Sequence, residues 1–295
     1  MTTRQIFGMV MAGGKGTRLW PKSTEAFPKQ YLSLMGGQSF LKKTLHRLQG
    51  PIPKNNLYLL VPEDQKSLAR KEWGQVMTEP EGRNTAPALY LSLLELKERG
   101  CQEGDVVGFF PADHHIHPVE TFRQTLETAI EKALKRDDHI VLLGITPHSP
   151  HTGYGHIKKG DGDEVAHFVE KPPLEKAKEY VESGCYLWNG GMFVGTWKAF
   201  YEHFQKFCPD YPSIVDPKSH YEKFSSASFD HAVLEHSDRL LFVEGKFQWT
   251  DVGNWKALEG ILGPHGHNTL VGSTSVSAVD SRGNIVWDDC DHVAL

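Results

Sequence analysis

"IFGMVMAGGKGTRLW", residues 6–20, sets an unbroken apolar run directly before three glycines and two cations. Such a run, with little polar alternation, reads as a strand buried on both faces, as in a parallel sheet. "GGKG" then reads as a tight turn leading from that strand toward a helix. Comparable runs follow at "LYLLV" (57–61), "VVGFF" (106–110) and "IVLLGI" (140–145). The stretches between them are amphipathic. "PVETFRQTLETAIEKALKR" places Val119, Phe122, Leu126, Ile130 and Leu134 at three- and four-residue steps. "NTAPALYLSLLELKERG" offers Asn84 or Thr85 as a cap, a proline in the first turn and Gly100 as a stop. This alternation predicts an α/β fold, a doubly wound, mostly parallel, Rossmann-like sheet covered by helices on both faces.

After about residue 150 the rhythm changes. "YGHIKK", "EVAHFVEK" and "YLWNGGMFVG" read as shorter strands, the first two as a hairpin around "GDGD". "LEKAKEYVE" and "WKAFYEHFQKF" restore the helical pattern, and from about 266 onward only short strands and turns remain. The expected division is a main α/β domain over 1–262 and a short β appendage over 263–295. The appendage breaks off on the apolar "DHVAL", as an incomplete one would.

A chain of 295 residues with 39% hydrophobic and 23% charged residues fits a soluble globular protein. Its formal net charge of −5 speaks against nucleic acid as a partner, so any positive site must be local. Cys101, Cys185, Cys208 and Cys290 form no CxxC pair, which suggests reduced thiols. The first residues show no leader pattern, and no run of about 18 apolar residues occurs. The expectation is a cytoplasmic protein without a membrane partner.

A glycine-rich βα turn brings backbone N–H groups together and suits a phosphate. The two familiar versions are absent. Gly14-Lys15-Gly16-Thr17-Arg18 is no P-loop, and the dinucleotide fingerprint would need glycine where Leu19 stands. The plainer reading is a tight turn with solvated cations, against which stand Arg18 and Lys29, both flanking it. His114, His115 and His117 match no zinc spacing, and strand alternation would point neighbours apart.

"GGKGTRLWPKSTEAFPKQ" resembles the signature of the sugar-1-phosphate nucleotidyltransferases. Its "LWP" and closing "PKQ" are similar to the mannose-1-phosphate guanylyltransferase branch. The resemblance continues in family order through "EPEGRNTAPA" (79–88), "FFPADHHI" (109–116), "FVEKP" (168–172), "WNGGMF" (188–193) and "WTDVGNW" (249–255). It implies attack of a sugar-1-phosphate oxygen on the α-phosphate of a nucleoside triphosphate, here GTP and mannose 1-phosphate, with Mg²⁺ as cofactor. Such a reaction asks for an anion cradle, a few cations and a carboxylate-held metal.

By resemblance, Ala12, Gly13, Gly14, Gly16 and Thr17 cradle the triphosphate, Arg18 binds it and Lys29 sits at the phosphates near the attack. Asp113 and Asp251 are the implied Mg²⁺ ligands. Glu79, Asn84, Thr85 and Ala86 are implied to face the base, with Glu79 or a backbone carbonyl reading guanine. Gly155, Glu170 and Asn189 are implied for the sugar, and Lys171 for its phosphate. Taken singly, Asp113 could cap or turn the chain, Glu170 and Lys171 could form a solvated pair, and Gly155 and Asn189 could belong to a bulged core strand. The sequence departs from the family at Thr24, usually arginine; at Ala112 and Gly190, usually serine; and at His156, commonly tyrosine. The alternatives are a sister enzyme with another base or hexose and a silent regulatory module. Retention of Arg18, Lys29, Asp113, Lys171 and Asp251 speaks against the last. In related proteins the terminal β region serves as a dimer contact or begins a β-helix.

Overall fold

The computed structural model describes residues 4–33, 37–211, 218–262, 268–271, 275–277, 279–287 and 292–294. The apolar runs form the middle of a nine-stranded sheet. Its strands are β1 (Ile6–Met11), β2 (Leu57–Pro62), β3 (Val76–Glu79) and β4 (Val106–Pro111), with β5 (His115–His117) lying apart. They continue with β6 (Ile140–Ile145), β7 (His156–Lys159), β8 (Val165–Val169), β9 (Tyr186–Thr196) and β10 (Leu240–Gly245). The spatial order is β10-β6-β9-β4-β1-β2-β3, with β7 pairing β9 and β8 completing the hairpin expected around "GDGD". Pairing is parallel from β3 through β4 and between β6 and β10. The long β9 runs antiparallel between β4 and β6.

The helices are α1 (Phe40–Leu48), α2 (Lys66–Glu72), α3 (Thr85–Glu98), α4 (Val119–Lys135), α5 (Leu174–Ser183), α6 (Trp197–Phe207), α7 (Phe229–Ala232) and α8 (Trp255–Leu262). They divide the core into two faces. Leu89, Leu93, Phe200 and Phe204 pack with Met9 and Phe109 on one face. Leu41, Leu45, Phe122 and Leu126 pack with Val10 and Phe110 on the other. Met9 and Val10 therefore point to opposite layers, as strand alternation requires. Both are fully buried, which is why the strand shows no polar alternation.

One expectation for the opening turn is not met. Among the described residues no α-helix follows it directly; 3₁₀ turns at Thr17–Leu19 and Lys29–Tyr31 do, and the next α-helix begins at Phe40. A helix dipole therefore contributes nothing there, and positive potential must come from side chains and individual amides.

Beyond α8, β12 (Thr269–Val271) pairs in parallel with β14 (Ile285–Trp287), and β13 (Ser275–Ser277) with β15 (His292–Ala294). The remaining strand, β11 (Gln248–Thr250), pairs antiparallel with β5. Parallel partners this close in sequence require the chain to circle back between them, as in one coil of a solenoid. Trp287 meets Trp255 edge to face at 5.8 Å, tying β14 to α8. The stretch "GPHGH" (263–267), where the appendage was expected to start, lies outside the described residues, as do the first and last residues of "DHVAL". Among the described residues no helix is long and apolar enough to cross a membrane.

Candidate active site

The carboxyl ends of β1, β2, β3 and β4 border a cavity of about 880 Å³, the place where open α/β sheets hold ligands. Its lining includes Gly13, Gly14, Gly16, Thr17, Arg18 and Lys29 from the turn and its flank, Glu79, Asn84 and Thr85 from the β3–α3 stretch, and Asp113 and Asp251. The glycines differ in what they do. Gly16 has a left-handed φ of 59°, and a Cβ there would strike the backbone nitrogen of Lys29. A Cβ on Gly13 would lie 2.9 Å from Pro62 Cδ and 3.2 Å from Glu79 Oε1. Around Gly14 nothing lies within 4 Å.

Gln30, buried beneath the turn, donates from Nε2 to the Ala12 carbonyl at 2.6 Å and the Gly14 carbonyl at 3.1 Å. Two oxygens that would repel an anion are thereby occupied by protein. Lys15 pairs at 2.9 Å with Glu25 on the surface, so it is the solvated cation of the turn. Arg18 is exposed and lines the cavity.

Lys29 is the opposite case. It is only 4% exposed, lies 2.9 Å from Asp113 Oδ2 and donates to the backbone carbonyl of Asp251. Burial pushes the Asp113 carboxyl up, but Lys29 and His114 together with hydrogen bonding outweigh it, and the net shift is downward. Asp113 is therefore a carboxylate at neutral pH. Asp251 Oδ1 accepts from Tyr154 Oη at 2.9 Å and from the Gly253 amide at 3.1 Å. No described hydrogen bond engages its Oδ2. His114 Nδ1 accepts from Trp249 Nε1 at 3.1 Å, and burial lowers its pKa to about 4, so the ring is neutral beside Asp113. His115 and His117 alternate with Ile116 on β5 in pairing with β11, and no described cluster of three or more His, Cys, Asp or Glu could hold a metal.

The Asp113 segment is held from below by α1. Thr44 Oγ1 donates to the Ala112 carbonyl at 3.1 Å, and Arg47 Nη2 donates to the His114 carbonyl at 3.0 Å and to Thr44 Oγ1 at 2.5 Å. Arg47 is 3% exposed; burial lowers its pKa to about 9 and Asp113 opposes that shift.

At the far edge of the cavity Glu79 is buried and accepts from the Tyr221 hydroxyl at 2.5 Å, across 142 residues of sequence. Burial raises its pKa, against the hydrogen bonds from Tyr221 and the Arg83 backbone. Arg83 pairs with Glu81 and donates to the Phe224 carbonyl at 3.0 Å, so it fixes the loop. Asn84, at a φ of 73°, caps α3 and accepts from the Thr85 amide at 2.9 Å. Ala86 is fully buried, outside the cavity lining, and its amide is used by the Ala227 carbonyl at 3.1 Å.

The four sugar-side residues form a second group, at β7 to β9. A Cβ on Gly155 would stand 2.7 Å from Glu170 Oε2 and 3.3 Å from Asn189 Cβ, so both residues crowd its bare backbone. Lys171 donates to Glu170 Oε1, and the Asn189 amide nitrogen donates to Asp230 Oδ1 at 2.6 Å. Gly190 shows why serine is absent there. A Cβ would lie 2.8 Å from the Leu143 carbonyl and 2.9 Å from Met192 Cε. At the other departures, Thr24 closes an exposed turn with Phe27, and His156 is buried with Nδ1 3.0 Å from the Tyr154 carbonyl.

Sequence reasoning did not single out Gln30, Arg47, Tyr154, Tyr221, Asp230 or Trp249. Gln30, Tyr154 and Trp249 lie inside "PKQ", "YGHIKK" and "WTDVGNW", where a signal existed. Arg47, Tyr221 and Asp230 reach their partners across long sequence separations, and no local pattern marks them.

A nucleotidyl transferase family model matches residues 7–262. The chain belongs to that family. Members similar to this chain include the mannose-1-phosphate guanylyltransferase of Escherichia coli (strain K12), 34% identical over 88% of this chain and 60% of that protein. Xanthan biosynthesis protein XanB of Xanthomonas campestris pv. campestris (strain B100) is 34% identical over 86% of this chain and 58% of its own length. The chain thus spans about 60% of the length of these curated relatives. A solved structure described as mannose-1-phosphate geranyltransferase from Thermus thermophilus superposes with a TM-score of 0.91 at 34% identity, over 99% of this chain and 89% of that one.

Proposed function

We propose that the chain transfers GMP from GTP to mannose 1-phosphate, giving GDP-mannose and pyrophosphate. The observation that carries this reading is the nearly buried Lys29 ammonium, held between Asp113 and the Asp251 backbone at the edge of the glycine turn. It couples the phosphate cradle to two aspartates 138 residues apart, one through its carboxylate and one through its backbone carbonyl, and the names of the relatives point to the substrates. The reaction needs a sugar-phosphate oxygen to attack the α-phosphorus while the bond to the pyrophosphate oxygen breaks in line. No covalent intermediate on the protein is required, so the residues act by alignment and charge neutralisation.

The turn amides and Arg18 receive the triphosphate, and Lys29 neutralises charge near its α-phosphate. Glu79 and the loop ahead of α3 face the base. Glu170 and Asn189 accept from and donate to sugar hydroxyls, and Lys171 pairs with the sugar's phosphate. Asp113 and Asp251 suit Mg²⁺: both are hard oxygen donors lining the same cavity beside Lys29, each with one oxygen engaged by protein. They would hold the ion together with phosphate oxygens, and it would supply charge neutralisation at the triphosphate. The three described free cysteines fit a cytoplasmic setting, and a homodimer through the terminal β region is part of the same proposal. The test is ³¹P NMR of the protein with GTP, Mg²⁺ and mannose 1-phosphate. Diphosphate-ester and pyrophosphate signals should replace those of the substrates, and unchanged spectra would contradict the reading.

A further inference from the structure

Asp230 lies 41 residues from Asn189 in sequence and 2.6 Å from its side-chain amide in space. Asn189 is otherwise held on two sides. Its Oδ1 accepts from the Gly191 amide at 3.0 Å, and its backbone amide donates to the Gly155 carbonyl at 2.8 Å. A primary amide has two N–H donors and two acceptor lone pairs. One of each is committed here, so one N–H and one lone pair remain for a ligand. A carboxylate only accepts, which fixes which end of the amide faces Asp230.

The segment carrying Asp230 is itself anchored. The Phe229 amide donates to Thr85 Oγ1 at 2.8 Å, and Glu235 Oε1 accepts from the Glu170 amide at 2.9 Å. Glu235 Oε2 lies 2.7 Å from His231 Nδ1. Burial and the Glu170 carboxylate push the Asp230 pKa up to about 6, against its own backbone amide, Lys171 and Asn189. An acid kept in this place against burial and a like charge is a costly way to fill space.

We propose that Asp230 is a positioning residue of the sugar-phosphate site, orienting the Asn189 amide for the hexose hydroxyls. The inference rests on reading the chain as a GMP transferase to a hexose 1-phosphate. It goes beyond that reading by making the orientation of Asn189 depend on a residue that touches no substrate.

The test is steady-state kinetics of the full chain as wild type, Asp230→Ala, Asp230→Asn, Asn189→Ala and the Asp230→Ala/Asn189→Ala double variant. Asp230→Ala should raise KM for mannose 1-phosphate about tenfold, the worth of one charge-assisted hydrogen bond, with KM for GTP within about twofold. Asp230→Asn keeps an acceptor, should raise it less, and carries the test if the alanine variant melts early. The double variant should be no worse than Asn189→Ala alone, because both changes remove one interaction. Equal rises in both KM values or additive losses would overturn the proposal, as would a fall in KM for the sugar phosphate, the mark of simple charge repulsion. If the wild type transfers no GMP, the parent reading fails. Calorimetric titration of mannose 1-phosphate into the same variants then decides the orientation claim, about tenfold weaker binding supporting it and unchanged affinity overturning it. A folded wild type that binds no mannose 1-phosphate overturns both.

Discussion

Lys29 Nζ and Asp113 Oδ2 lie 2.9 Å apart, the lysine almost wholly buried and the aspartate one-third exposed. The asymmetry decides what each substitution does. Removing the aspartate strands a buried ammonium, for which breaking a fully buried pair costs about 3–5 kcal/mol. Exposure of Asp113 and the remaining Asp251 carbonyl reduce that cost. Asp113→Ala should therefore lower stability as well as remove a candidate metal ligand. Asp113→Asn should stay folded with a Tm lowered by a few degrees, and lose turnover by about 10²- to 10³-fold. Thermal melting and pyrophosphate release, measured on one preparation, check both numbers.

Arg47 supports the same segment from α1 without reaching the cavity. Arg47→Met leaves the His114 carbonyl and the Thr44 hydroxyl without that donor, at about 1–3 kcal/mol for an unsatisfied buried group. Asp113 should then be held less firmly, and the Mg²⁺ concentration for half-maximal turnover should rise while KM for mannose 1-phosphate stays near the wild-type value. A magnesium titration of activity reads this directly.

The glycine turn gives a matched pair of variants. Gly16→Ala places a Cβ in a left-handed conformation and against the Lys29 backbone, so it should cost at least about 1–2 kcal/mol and weaken GTP. Gly14→Ala meets nothing within 4 Å and should leave Tm unchanged. Parallel melting curves and KM values for GTP compare them.

His203 makes stability depend on pH. Its Nδ1 lies 2.6 Å from the Ala199 carbonyl and its Nε2 2.8 Å from Ser237 Oγ, and burial lowers its pKa to about 4. Between that value and the ordinary one near 6.5 the unfolded chain binds the extra proton and the folded chain does not. Stability therefore falls as pH drops through this window, by up to about 1.4 kcal/mol per pH unit. Asp230 acts oppositely, since its raised pKa makes the folded state bind a proton between about pH 4 and 6. His114 and His115, both lowered to about 4, act with His203, so the net trend is loss of stability in acid. His203→Gln should flatten the decline of Tm between pH 6.5 and 4.

The strands that build the sheet's centre were legible because burial on both faces leaves them uniformly apolar: Ile140–Ile145 shows it, six buried residues in a row. The reversed direction of β9 was not legible, because hydrophobic pattern carries no strand polarity. At the site, the glycines, Lys29 and Asp113 were readable as local motifs. The Tyr221–Glu79, Arg47–His114 and Asp230–Asn189 contacts were not, since each pairs side chains that only the fold brings together. The 3₁₀ turn at Thr17–Leu19, where a helix was expected, starts from Gly16, whose backbone stands against that of Lys29, a neighbour outside the turn itself.

The most direct measurement is pyrophosphate release with Mg²⁺ across GTP, ATP, UTP and dTTP, each paired with mannose 1-phosphate and with glucose 1-phosphate. Release should be fast for GTP with mannose 1-phosphate and much slower for every other pair. Release led by another pair would contradict the substrate assignment, and none from folded protein would contradict the transferase reading itself.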